Sequence, residues 1–333
     1  MPANADLPLM SVYTVIEDAE LRAFLGHYCV GELTDFKGIK DGIENTNYFV
    51  NTVKNNQPLH FVLTIFEQHT FDELQYFLNL MHHLADHRVP SANPVADNEG
   101  NYLRLFNNKP IALVERLPGS SITETCVDHC AQLGAAMGKM HAAGLSYPTH
   151  IDNPRGPLWC QQTAAQVMHR LTAEDQAILQ QEVVFQKDKR DASLPRGMVH
   201  ADLFRDNALW YNDQGKAMFS GIIDFYYACD DVLLYDLAVA ANDWCCQGDY
   251  RLDKDKVTAL LSHYHPYRPL QAHEQNYWPI LLRAAALRFW LSRLYDKYFP
   301  RPGELVHTKN PDVFKTILSD RIHRQSDYAS FWI

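Results

Sequence analysis

Apolar and polar residues follow two different rhythms along this chain. In the first third they alternate one by one. Residues 43–53 place Ile43, Tyr48, Val50 and Val53 among Asn45, Thr46, Asn47 and Asn51, and 59–66 run Leu59-His60-Phe61-Val62-Leu63-Thr64-Ile65-Phe66. Both stretches read as β-strands, and Asn55-Asn56-Gln57-Pro58 between them reads as the turn of a hairpin. A short helix is predicted over 17–28, and a second where Phe71, Leu74, Leu78, Met81 and Ala85 recur at steps of three and four. Turn signals at 97–101 and 107–110 enclose one more strand, and Ile111-Ala112-Leu113-Val114-Glu115 forms another, closed by Leu117-Pro118-Gly119. Beyond that point the spacing is helical. Helices are predicted over 123–143, 161–171, 173–185, 233–246, 254–264, 273–298 and 312–324, interrupted by a strand-rich island at 197–225. The change of rhythm at 116–119 divides the chain into an N-terminal lobe, 1–115, and a mainly helical C-terminal lobe, 116–333.

Length and composition support two packed lobes. The chain has 333 residues and is 47% hydrophobic, enough for more than one ordinary core. Its formal charge of -10 gives no basic footprint for nucleic acid. No apolar run reaches membrane-spanning length, and the N-terminus has no secretory pattern, so a cytoplasmic location with no membrane partner is expected. The seven cysteines are irregularly spaced without a CxxC pair; they read as structural thiols, with Cys126 and Cys130 on a helix. His82-His83 and His263-x-His265 lack acidic or thiol companions and read as ordinary surface or half-buried histidines.

The chemistry is concentrated in the strand-rich island. His200-Ala201-Asp202-Leu203-Phe204-Arg205-Asp206-Asn207 follows a short apolar strand and spells H-x-D-x-x-x-x-N. A second apolar strand, 219–223, ends in Asp224-Phe225. Transfer of a phosphoryl group to a hydroxyl needs a carboxylate to orient the nucleophile and take its proton, a role that suits Asp202. It also needs hard oxygen ligands for a magnesium ion, which Asn207 and Asp224 supply. His200 is placed to brace the loop. A polar hairpin with turn-forming Asp and Asn would explain H-x-D alone, but not the full spacing with its second strand. Asp236, early in its helix, reads either as a helix-dipole acid or as a brace for the loop.

These motifs resemble the kinase-like phosphotransferases, the superfamily of aminoglycoside and choline kinases. Longer words, among them 42–50, 62–67, 200–207, 223–226, 234–238, 242–245 and 283–293, are similar to the bacterial homoserine kinases of this fold. The resemblance implies an α+β, bilobal protein-kinase-like fold with a small antiparallel sheet in the N-lobe and ATP in the cleft. It implies homoserine as acceptor, with ATP and Mg2+ as cofactors. A phosphate-covering turn is expected at Gly42, Asn45, Thr46 and Asn47, and adenine contacts at Glu115 and Leu117. Thr64 stands where protein kinases place a lysine. For the acceptor, Arg205, Trp244 and Arg288 are candidates, with Arg283, Arg293 and Trp290 beside them. Choline or ethanolamine, an aminoglycoside, or a nucleotide-binding role without catalysis remain alternatives. Tyr226, Tyr227, Trp244 and Trp290 leave an aromatic cage for choline open.

Overall fold

A computed structural model describes residues 14–39, 45–187, 189, 192–300 and 309–333. Its chain divides into two compact units, Met1–Pro118 and Gly119–Ile333, the division falling a few residues beyond the expected 115.

Among its described residues, the first unit has a five-stranded antiparallel sheet and two helices. Its elements are α1 (Asp18–Leu25), β1 (Glu32–Gly38), β2 (Asn45–Lys54), β3 (Gln57–Phe66), α2 (Phe71–Asp86), β4 (Arg104–Phe106) and β5 (Lys109–Glu115), with sheet order β1-β2-β3-β5-β4. The β2–β3 turn is Asn55-Asn56, both with positive φ (51° and 62°), and Asn107-Asn108 between β4 and β5 repeats that geometry. Asparagine tolerates the left-handed region, and two such residues in a row fix a two-residue hairpin and hence the strand register. That register pairs Asn47 with Thr64 and Thr64 with Ala112, and likewise Tyr48 with Leu63 and Leu63 with Leu113. Side chains alternate across a strand, so Asn47, Phe49, Val62, Thr64, Ala112 and Val114 share one face. The opposite face carries Tyr48, Val50, Leu63, Ile65, Ile111 and Leu113, and packs in one core with Ile16, Leu21 and Phe24. Thr70 caps α2: its hydroxyl accepts from the Glu73 N–H while the Glu73 carboxylate accepts from the Thr70 N–H. The edge strand β1 escapes the sequence pattern because only Leu33 in it is fully buried.

The second unit holds α3 (Val127–Gly144), α4 (Pro157–Val167), α5 (Ala173–Lys187), β6 (Arg196–Val199), β7 (Ala208–Asp213), β8 (Lys216–Ile222), β9 (Cys229–Val232), α6 (Leu233–Trp244), α7 (Lys254–Tyr264), α8 (Trp278–Tyr298), α9 (Pro311–His323) and α10 (Gln325–Ala329). Two small antiparallel pairs, β6–β9 and β7–β8, frame the island that carries the chemistry. The helix expected over 273–298 is split. Residues 272–276 form a 3-10 turn, and α8 starts at Trp278 with Pro279 in its first turn, where a missing N–H costs nothing. Glycine matters where α3 crosses α7: a Cβ at Gly134 would lie 2.1 Å from the Leu260 carbonyl oxygen, and one at Gly138 2.7 Å from that of Tyr264. These two positions let the helices approach closely enough to set His141 against Tyr264. Cys130, Cys229 and Cys245 are buried thiols, whereas Cys126 is exposed at the start of α3, contrary to its expected role as a buried structural thiol beside Cys130.

Candidate active site

In the second unit the H-x-D segment leaves β6 and turns sharply, with Ala201 in the left-handed region at φ 63°. A residue with a side chain pays strain there, so the turn persists because its surroundings fix it. Asp236, at the start of α6 and fully buried, is the fixing group. Its carboxylate accepts from the backbone N–H groups of His200 (2.9 Å) and Ala201 (2.8 Å) and from His141 Nε2 (3.0 Å). His141 Nδ1 in turn meets the Tyr264 hydroxyl at 2.8 Å. Burial alone would raise the Asp236 carboxyl; the His141 hydrogen bond and charge and the loop N–H groups hold it below the usual carboxylate range. Of the two readings of Asp236, the brace is the one its contacts describe.

The His200 ring is oriented by two bonds. Its Nε2 lies 3.0 Å from the Ile223 carbonyl oxygen, and its Nδ1 lies 3.3 Å from the Asp202 N–H. A neutral ring protonated on Nε2 satisfies both. His200 thereby ties the H-x-D turn to the end of β8, just before Asp224. The Ile223 N–H also donates to the Asn207 carbonyl at 3.0 Å. Asn207, only 8% exposed, donates through Nδ2 to the Asp202 carbonyl (2.8 Å) and to Asp202 Oδ2 (3.3 Å). That use of the amide nitrogen turns the amide oxygen away from Asp202. Asp224 follows Ile223 with φ 63°, a second strained position at the site. An amide oxygen and a carboxylate, positioned by the same backbone link, are hard donors suited to magnesium, which commonly takes one or two protein ligands and fills its shell with phosphates and water.

Asp202 itself is one-fifth exposed, and Arg288 of α8, nearly buried, places Nη1 3.6 Å from its Oδ1. Burial pushes the Asp202 carboxyl up, opposed by the charge of Arg288. The other arginine candidates have different partners. Arg205 is clamped by Asp243 through its backbone N–H (2.8 Å), Nε (3.1 Å) and Nη2 (3.1 Å), and donates to the Thr123 carbonyl. It stabilises the loop from outside and has no reach left for an acceptor. Arg283 pairs with Glu182, and Arg293 Nη1 donates to the Asn310 carbonyl at 2.9 Å. Trp244 is corrected as well: it has no exposed surface, and its indole N–H donates to the Leu203 carbonyl at 3.0 Å. Trp290 is 1% exposed, so neither tryptophan walls a pocket and the aromatic cage loses both.

In the first unit, Thr64 Oγ1 donates to Asn47 Oδ1 at 2.8 Å on the face shared with Val62, Ala112 and Val114. Arg116 stacks on the Phe49 ring of that face at 3.9 Å. The Glu115 N–H donates to the Asn93 carbonyl, so of its two backbone groups the carbonyl is the one left for a base. Thr46 belongs to the opposite face: its hydroxyl donates to Glu67 Oε1 at 2.7 Å. Asn45 Oδ1 accepts from the Glu67 N–H at 3.4 Å, a long contact at the strand end. Gly42 lies outside the described residues. Of the two acids in the first turn of α2, Asp72 and Glu73, Glu73 is engaged in the capping box with Thr70.

Sequence reasoning missed His141, Tyr264, Asp243 and Arg155. Only His141 carried a signal, a lone histidine three residues after Gly138 on the apolar side of a helix. Among the described residues, no helix is long and apolar enough to cross a membrane.

This constellation of bracing carboxylate, H-x-D turn, amide and second aspartate is that of a phosphoryl-transfer enzyme. Residues 35–270 match the phosphotransferase enzyme family, and the chain belongs to it. It is 45% identical to the homoserine kinase of Methylobacillus flagellatus over 97% of this chain and 99% of that one. It is 41% identical to the homoserine kinase of Neisseria meningitidis serogroup B over 93% and 99%. Among solved structures, a spectinomycin phosphotransferase in complex with ADP and spectinomycin superposes with a TM-score of 0.68 at 12% identity, covering 96% of this chain and all of that one. A choline kinase from Cryptosporidium parvum gives 0.66 at 15% identity, over 94% and 98%. At such identities the likeness establishes the fold.

Proposed function

We propose that this protein is a homoserine kinase, transferring the γ-phosphoryl group of ATP to the hydroxyl of L-homoserine. Near-full-length identity to homoserine kinases supports the acceptor. The structural observation that carries the choice among acceptors is Arg288 beside Asp202. A buried guanidinium next to the catalytic carboxylate favours an acceptor with an anionic group, which choline, ethanolamine and aminoglycosides lack.

Asp202 accepts the hydrogen bond of the acceptor hydroxyl and aims its oxygen at the γ-phosphorus. As the new O–P bond forms, the bond from the γ-phosphorus to the β,γ-bridging oxygen breaks, the hydroxyl proton passes to Asp202, and ADP leaves. Magnesium, held by Asn207 and Asp224, would neutralise the phosphates. His200 and Asp236 keep the Asp202 backbone in register and do not react. On the first unit, the face of Val62, Ala112 and Val114 offers an apolar bed for adenine, and the Glu115 carbonyl and Leu117 offer backbone partners.

ADP release by the purified protein should be fastest with L-homoserine when compared with choline, ethanolamine and an aminoglycoside. Faster turnover of choline would overturn the acceptor and leave the phosphotransferase reading standing.

A further inference from the structure

The second unit contains a cavity that shares only Arg288 with the residues given a role above. Its lining includes Asn153, Arg155, Asp231, Tyr235, Leu287 and Arg288.

Its charges are unbalanced. Among the described residues, Arg155, Lys187 and Arg288 line the cavity against a single acid, Asp231. Asp231 is 4% exposed and already shared: Asn153 Nδ2 donates to its Oδ2 at 2.7 Å, and Arg196 Nη1 lies 3.4 Å from its Oδ1. The two arginines converge on one ring. Arg155 lies 4.5 Å and Arg288 5.8 Å from the centroid of Tyr227, whose hydroxyl accepts from Arg155 Nη2 at 3.2 Å. Two half-buried or buried guanidinium groups around one aromatic ring, with Asp202 3.6 Å from one of them, call for a further anion. Asn153 fixes both sides of the cavity, since its Oδ1 accepts from the Arg155 N–H at 2.8 Å while its Nδ2 holds Asp231. The cavity also meets the start of α4 at Gly156 and Pro157, where no side chain caps the helix, and the helix dipole there favours negative charge.

Resting on the homoserine reading, we infer that this cavity reads the amino-acid end of the acceptor: Arg155 and Arg288 take the α-carboxylate, and Asp231, steadied by Asn153, takes the α-ammonium. The reach is consistent. The hydroxyl oxygen of homoserine is four bonds of about 1.5 Å from its carboxylate carbon. A carboxylate on Arg288 therefore leaves the hydroxyl within range of Asp202, because Arg288 touches both the cavity and the base. Arg288 sets the distance between recognition and reaction, and Arg155 acts in recognition alone.

The test separates the two ends of the substrate. L-2-Aminobutyrate keeps both charges and lacks the hydroxyl; 3-aminopropan-1-ol keeps amine and hydroxyl and lacks the carboxylate. Arg155→Met should raise KM for homoserine and the inhibition constant of L-2-aminobutyrate by roughly 10- to 150-fold, the scale of a charged hydrogen bond. Its kcat should stay near that of the wild type, Arg155→Lys should recover part of the loss, and inhibition by 3-aminopropan-1-ol should be unchanged. Asp231→Asn should weaken L-2-aminobutyrate and spare 4-hydroxybutanoate, which has no amine; if that variant does not fold, the Arg155 arm decides alone. An unchanged KM in Arg155→Met, or a parallel loss for 3-aminopropan-1-ol, overturns the assignment. Failure of the wild-type protein to phosphorylate homoserine at all would instead sink the functional reading, a different result from either.

Discussion

Glu67 and Asp236 each sit at the centre of a hydrogen-bond cluster, one in each unit, and their partners differ in kind. Glu67 accepts from Lys109 Nζ (2.5 Å) and from the hydroxyls of Thr14 and Thr46 (both 2.7 Å). Burial would raise its carboxyl, but Lys109 and the two hydroxyls hold it below the usual range. All these groups lie on the face of the sheet turned away from Thr64, so the cluster ties the segment before α1 to β2 and β5. Asp236 meets a histidine, His141, where Glu67 meets a lysine. It accepts backbone N–H groups from the very turn that presents Asp202. An acid that holds side chains together is replaceable by other packing; an acid that holds a catalytic backbone in a strained conformation has few substitutes. The contrast also bears on the lysine that protein kinases carry on the third strand. Lys109 is no replacement for it, because the register of β3 and β5 puts Lys109 on the wrong face. Around Thr64 the described residues of that face present a hydroxyl and an amide, with Arg116 over Phe49.

The sharpest way to break this contrast is to change the reacting acid and the bracing acid separately. Asp202→Asn should lower kcat by about two orders of magnitude or more, the usual size of a general-base effect, without lowering the melting temperature. Near-normal turnover would remove Asp202 from the base role. Asp236→Asn should lower both, because an amide turns a donor toward donors; loss of a buried charged network costs on the order of 3–5 kcal/mol. If Asp236→Asn melts like the wild type in thermal denaturation, the strain at Ala201 is not being held by it. Next in size, Asp224→Ala should raise the magnesium concentration needed for half-maximal rate, and more so than Asn207→Ala, since Asp224 carries the charge. A magnesium titration that does not move would cancel that assignment. Thr64→Ala should weaken ATP by only about 0.5–1.5 kcal/mol, one neutral hydrogen bond, as read by titration calorimetry. The smallest effect belongs to Lys109→Met: KM for ATP within about twofold of the wild type and a stability loss on the order of 1 kcal/mol or less, the pair being partly exposed. A tenfold rise in that KM would place Lys109 with the phosphates and undo the face argument.

The hairpins, the helical second unit and the aspartates of the H-x-D segment were legible because each has a local signature: alternation, periodicity, or fixed spacing along a few residues. β1 was not, since an edge strand buries too little to alternate. Trp244 misled because a large aromatic beside a motif suggests a wall, whereas α6 turns it fully inward. Arg205 misled because its partner Asp243 is 38 residues away in sequence. Arg155 and Asp231 left no trace, as they belong to a loop and a strand end that meet only through the fold.

The link from Tyr264 through His141 to Asp236 has a consequence for how activity arises in time. His141 is 95 residues from Asp236 and 123 from Tyr264, and the hydrogen bonds between them are entirely buried. Contacts so distant in sequence carry the greatest loop-closure cost and depend on α3, α6 and α7 being docked together. The turn at Ala201 therefore has its full set of braces only when these helices are packed. With Asp202 as the reacting acid, the onset of phosphoryl transfer during refolding should follow the packing of α3, α6 and α7 rather than the formation of their helices.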